Sequence, residues 1–288
     1  MTKHHPEKTT LALIFFSLVI AVCISLLSIF AWQYMTNAKT AKDMQEKYTS
    51  VRETEDIRIE SAGTGEPEEM AEVSSVRQEN EDNKAPVRLL AVDHAALLSE
   101  NPDYIGWLDI PGTEISYPVY FSGDNEKYLR HAPDLSYQYG GSLFADMDSD
   151  ENARNIIIYG HNMRSGTMFG KLKEYTDAEF YHEHPYIVLY PADCNGYELY
   201  RISAVYTCDG NSVINMTGQI HFADGKAVAS YAKKTASYSL YKDFDAEESY
   251  ERMLTLSTCY GQSYNNARLI VNAVLTEKGG DQTSYFNY

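Results

Sequence analysis

Residues 251–276 read ERMLTLSTCYGQSYNNARLIVNAVLT. Both arms alternate, and the middle is rich in turn residues, so the spacing predicts strands at 251–259 and 267–276 joined around YGQSYNN. In the first arm Met253, Thr255, Ser257 and Cys259 share one face, and Leu254, Leu256 and Thr258 share the other. In the second arm Leu269, Val271, Ala273 and Leu275 form an apolar face opposite Arg268, Ile270 and Asn272. Pairing the arms with the aliphatic faces toward the core puts Cys259 and Arg268 at the same end, both on the non-core face. A thiol and a guanidinium are then within reach on rigid strand ends. The plainer alternative is a buried structural Cys and an unrelated surface Arg.

Working outward, NIIIYGH (155–161) reads as a buried strand that stops at a small residue and delivers His161. Cys, His and Arg together suit nucleophilic chemistry: a thiol nucleophile, an imidazole that exchanges protons, and a guanidinium that stabilises an oxyanion. An ordinary surface His is the competing reading. Further strands are predicted at 105–110, 115–120, 141–145, 186–190 and 197–207, the last entered by the turn DCNG (193–196). Helical patches are predicted at 92–100, with Asp93 as cap, at 167–181 and at 226–238. Short strands at this spacing predict a mainly β barrel or sandwich.

Several segments together resemble the sortase family. They are TLSTC (255–259) with Arg268 following, and YGHNM (159–163) upstream. The fuller match is to class B sortases, in NPDYIGWLDIPGTEISYPV (101–119), GDNEKYLRH (123–131), GGSLFADMD (140–148) and IIIYGHNMRSGTMFGKLKEY (156–175). It runs in order over about residues 95–276, and the helical sequence at 226–238 resembles the class B insertion. The resemblance implies a closed eight-stranded β-barrel with peripheral helices and a cysteine transpeptidase without a metal or other cofactor. It assigns Cys259 as nucleophile, His161 as acid and base, and Arg268 as oxyanion partner. Ser257, Asn125 and Tyr159 are candidate substrate contacts. The implied partners are proteins bearing a C-terminal sorting pentapeptide, cleaved after Thr, and a cell-wall amine of a Gram-positive cell. Pilin polymerisation is the alternative within the family, and a non-catalytic wall-binding module is the alternative outside it. A papain-type or caspase-type protease is disfavoured, because papain-type order puts Cys before His and the caspase motif is absent. Two departures bear on the substrate sequence. Tyr260 follows the Cys where many class B relatives carry an acidic or Thr residue, and 209–222 matches the expected groove segment poorly.

Residues 11–32 are 22 in number and uncharged, enough for about 33 Å of helix. With no convincing cleavage site after them, they predict an uncleaved membrane anchor. Lys3 and Lys8 against Glu7 favour a cytoplasmic tail at 1–10 and an extracellular catalytic region. Residues 35–84 carry 7 basic and 13 acidic side chains and few large apolar ones, so 33–85 reads as an acidic flexible stalk. Some i,i+4 spacing at 36–60 is compatible with helix. The catalytic domain is assigned to 86–288. A net charge of −17 disfavours nucleic acid as a partner. The HxH pair His182 and His184, read on an extended segment with both rings on one side, could begin a zinc site, but no third ligand is evident in the sequence. The acidic run DMDSDEN (146–152) lacks the EF-hand Gly and terminal Glu and reads as a solvated loop.

Overall fold

The structure is a computed structural model of the chain and describes residues 6–55, 89–193, 196–212, 219–261 and 266–280. It divides into two compact units, Met1–Lys47 and Tyr48–Tyr288.

The first unit is built on helix α1 (Pro6–Val51). Within it Leu13–Thr36 is long and apolar enough to cross a membrane. Its serine and threonine hydroxyls bond back to the helix. Ser17, Ser25, Ser28 and Thr36 donate their hydroxyls to the carbonyls of Ile14, Ala21, Ile24 and Trp32 at 2.8–2.9 Å. No hydroxyl among these four needs water, which is what an apolar surrounding demands. The helix runs well into the segment read from sequence as a flexible stalk. It ends at Val51 and is followed by strand β1 (Arg52–Glu55), which pairs antiparallel with β2 (Leu89–Val92). The remainder of that segment, 56–88, lies outside the described residues.

The second unit is a barrel. After α2 (His94–Glu100) come β3 (Tyr104–Asp109), β4 (Ser116–Tyr120), β5 (Leu143–Ala145), β6 (Asn155–Tyr159), α3 (Ala178–Glu183), β7 (Tyr186–Pro191) and β8 (Tyr197–Asp209). Helix α4 (Gly225–Ala236), β9 (Met253–Cys259) and β10 (Ala267–Gly279) complete it. The closed order is β10-β8-β7-β3-β4-β5-β6-β9. The β4/β5 and β6/β9 joints are parallel and the rest antiparallel. Closure leaves no unpaired edge in this sheet. All eight strands fall where the alternation predicts them, with ends moved by one to three residues. Cys194, in the predicted turn before β8, lies outside the described residues.

One helical reading holds and another changes in detail. Asp93 caps α2 as predicted, its Oδ1 accepting from the Ala96 amide at 2.9 Å. The patch at 167–181 instead becomes a 3-10 turn at Leu172–Thr176 followed by the short α3, because Asp177 is extended and caps a new helix through the Glu179 and Phe180 amides.

Both faces of the last hairpin are covered. Leu254, Leu256, Leu269, Val271 and Ala273 are fully buried on the inner face. The outer face begins under α4, where Met253 and Val274 pack against Val228, Ala229, Tyr231 and Ala232. Each such aliphatic side chain contributes about 1.5–3 kcal/mol on burial. Between α4 and the rim the outer face is polar but equally closed. Thr255 and Asn272 are 0% exposed, and Thr255 donates to Asn155 Oδ1 (2.8 Å) while accepting from Asn272 Nδ2 (2.7 Å). The face read from sequence as non-core is therefore a second layer that opens to solvent only at its upper end.

Candidate active site

Three neighbouring strands, β6, β9 and β10, supply the site. In the antiparallel β9/β10 ladder Cys259 stands directly opposite Arg268. On its other side Arg268 faces Cys208 of β8, so thiol, guanidinium and thiol form one row. One step below, Tyr159 of β6, Ser257 of β9 and Ile270 of β10 form the next row. Because β6 and β9 run parallel, His161, two residues beyond Tyr159, is level with Cys259.

That level placement does not rest on the strand alone, since β6 ends at Tyr159. Three hydrogen bonds carry the pairing past the end. The Gly160 amide donates to the Ser257 carbonyl (3.3 Å), Thr258 Oγ1 to the Gly160 carbonyl (2.7 Å), and Asn162 Nδ2 to the Cys259 carbonyl (2.8 Å). The segment carrying His161 is thus stitched alongside the segment carrying Cys259. Gly160 makes this possible sterically, since a Cβ there would meet Leu143 at 2.4 Å and Phe169 at 2.7 Å.

The electrostatics follow from these contacts. Arg268 Nη1 donates to Cys259 Sγ, and Cys259 is exposed while Arg268 is half-buried. His161 Nε2 donates to the Leu129 carbonyl at 2.9 Å. A carbonyl only accepts, so in the neutral ring the proton is on Nε2 and the lone pair on Nδ1. Burial lowers the His161 pKa, and the positive charges of Arg130 and Arg268 lower it further against the Leu129 hydrogen bond. Burial raises the Cys208 thiol, with Arg268 pulling the other way. An imidazole whose surroundings favour the neutral form, level with a thiol held by a guanidinium, is suited to moving a proton to and from sulfur.

The substrate candidates sit around this row. Ser257 is on the face of Cys259 but only 3% exposed, beneath the rim. Asn125 and Tyr159 are half-buried and meet through Asp146, which the sequence reading left within a solvated acidic loop. Sequence reasoning also left out Asn162 and the Leu129 carbonyl, whose roles depend on how distant loops fold back. His182 and His184 are not on an extended segment. They close α3, where His182 faces Asp243 at 3.7 Å and His184 stacks on Phe180 and donates to its carbonyl.

A β-barrel with thiol, imidazole and guanidinium gathered at one rim is the frame of a cysteine acyl-transfer enzyme. Residues 108–276 match the family model for the sortase domain. Sortase B of Listeria monocytogenes is 34% identical over 181 residues, 62% of this chain and 72% of the relative. Sortase B of Staphylococcus aureus is 28% identical over 176 residues, 60% of this chain and 70% of the relative. Among solved structures, sortase B of Clostridium perfringens matches with a TM-score of 0.58 and 31% identity, covering 64% of this chain and all of that one. The chain belongs to the sortase family, in its class B branch, and is a cysteine transpeptidase.

Proposed function

We propose that this chain is a membrane-anchored transpeptidase that cleaves a C-terminal sorting pentapeptide after Thr and joins the acyl part to a cell-wall amine. The observation that carries the reading is the in-register pairing of Arg268 with Cys259, with His161 level just beyond the end of the adjoining strand. The Cys259 thiol gives its proton to His161, and the sulfur attacks the Thr carbonyl carbon. Arg268 holds the resulting oxyanion. The C–N bond breaks as His161 returns the proton to the leaving amine, leaving a thioacyl-enzyme. An incoming amine then attacks that carbonyl and loses its proton to His161. The C–S bond breaks, and the proton returns to sulfur.

The apolar span Leu13–Thr36 supports an anchor, and Lys3 and Lys8 support a tail on the inner side with the catalytic unit outside. Residues 48–288 keep the whole second unit and serve for the test. Incubation with a library of Thr-containing pentapeptides and an amine acceptor is expected to give, by mass spectrometry, a thioacyl adduct on Cys259 and a transpeptidation product. Cys259→Ala abolishes both, and Arg268→Ala lowers turnover by about 10²–10³. Full turnover in His161→Ala would overturn the mechanism.

A further inference from the structure

Asp146 is a buried carboxylate, 7% exposed, that the chemistry above does not use. Its Oδ2 accepts from Tyr159 Oη at 2.8 Å and from Asn125 Nδ2 at 3.1 Å, and its Oδ1 accepts from the Asp148 amide at 3.0 Å. Asn125 Oδ1 in turn accepts from the Met147 amide at 2.9 Å. The local turn does not need a negative charge. Its main-chain bonds run from the Asp146 amide to the Ile157 carbonyl and from the Ser149 amide to the Asp146 carbonyl, and an Asn side chain would serve the Asp148 amide equally well. What the charge does is point two donors at itself. A carboxylate is acceptor-only, so the single O–H of Tyr159 and one N–H of Asn125 are spent on it.

The remainder is fixed by counting. Tyr159 keeps only lone pairs, and Asn125 keeps one N–H. Tyr159 is one row below Cys259 and two residues before His161, and Asn125 shares with it the Asp146 carboxylate oxygen, so acceptor and donor stand together beside the row of Cys259. Among the described residues they are the polar complement of one unit of extended peptide, which offers one N–H and one C=O.

We propose that Asp146 is a positioning residue of the substrate groove: it sets Tyr159 as acceptor and Asn125 as donor for the main chain of the sorting peptide. The proposal rests on the transpeptidase reading. Asp146→Asn keeps the shape and the turn but reverses the polarity of the wall. The new amide would donate to Tyr159, whose O–H would then turn outward, and would meet Asn125 donor to donor.

The probe is the pentapeptide giving the strongest Cys259 adduct in the library, together with ester analogues in which each peptide N–H is replaced in turn by oxygen. In Asp146→Asn, KM is expected to rise about tenfold with kcat changed far less, as loss of uniform binding does. One ester analogue is expected to cost the wild type about tenfold in kcat/KM and to cost Asp146→Asn less than about twofold. In an Asn125→Ala, Tyr159→Phe background, Asp146→Asn is expected to add nothing to KM. A merely structural carboxylate would lower the melting temperature and leave ester sensitivity unchanged. Equal KM in wild type and Asp146→Asn, or equal ester sensitivity, would overturn the proposal while leaving the transpeptidase reading intact. Absence of any wild-type adduct would overturn both.

Discussion

His161 is held to its neutral form by its surroundings. Burial and the nearby guanidinium groups of Arg268 and Arg130 disfavour the imidazolium, so its midpoint lies below that of a free imidazole. An NMR titration of the ring, assigned by comparison with His161→Gln, is expected to show this. Arg268→Ala removes one positive neighbour and moves the midpoint up. A wild-type midpoint at or above the free value would contradict the environment described. The same depression has a stability consequence. The unfolded chain takes up this proton first, so the His161 contribution weakens folding as pH falls through the ordinary imidazole range and relaxes as pH rises above it. The placement of Cys259 opposite Arg268 was legible from sequence because period 2 fixes faces and the short connection fixes ends. The Asp146 hub was not, because its partners, Asn125 and Tyr159, come from separate segments and meet it only after the barrel closes.

The β6 segment shows how an element aims a side chain. Its strand stops at Tyr159, and the hydrogen bonds of Gly160, Thr258 and Asn162 carry it on to His161. Leu143 and Phe169, both buried to within 1%, leave no room for a methyl group at position 160. Gly160→Ala is therefore expected to cost about 1–3 kcal/mol, a Tm loss of roughly 3–10 °C, and to lower turnover by displacing His161. Calorimetry and the peptide assay check this, and an unchanged melt would mean that the neighbours yield freely. The alternation along 251–276 located both strands and matched Cys259 with Arg268. It also made Thr255 and Asn272 look like solvent-facing residues, since small polar side chains on one face usually mean water. They are buried because Asn155 on the neighbouring strand, 100 positions away, accepts from Thr255, and Thr255 in turn accepts from Asn272. The single helical patch read at 167–181 likewise hid the break at Asp177, whose side chain competes for the backbone amides that follow it.

For the whole molecule, the apolar Leu13–Thr36 helix, about 36 Å long, and the enzyme fold belong to different compact units. Deleting residues 1–36 is expected to leave a soluble protein whose peptide turnover is within about twofold of the full chain, since the whole barrel belongs to the other compact unit. The full chain is expected to sediment with membranes and to be released by detergent but not by high salt, which separates insertion from charge attraction. Release by salt alone would count against a spanning anchor. Ring closure carries one more implication. Because β6 joins β9 as a parallel neighbour from about a hundred positions away, the segment carrying His161 comes level with the Cys259 sulfur only when the ring closes. Such non-local assembly is slow compared with helix formation. A chain still folding thus holds this thiol without its imidazole neighbour, and the pair is completed only as the barrel seals.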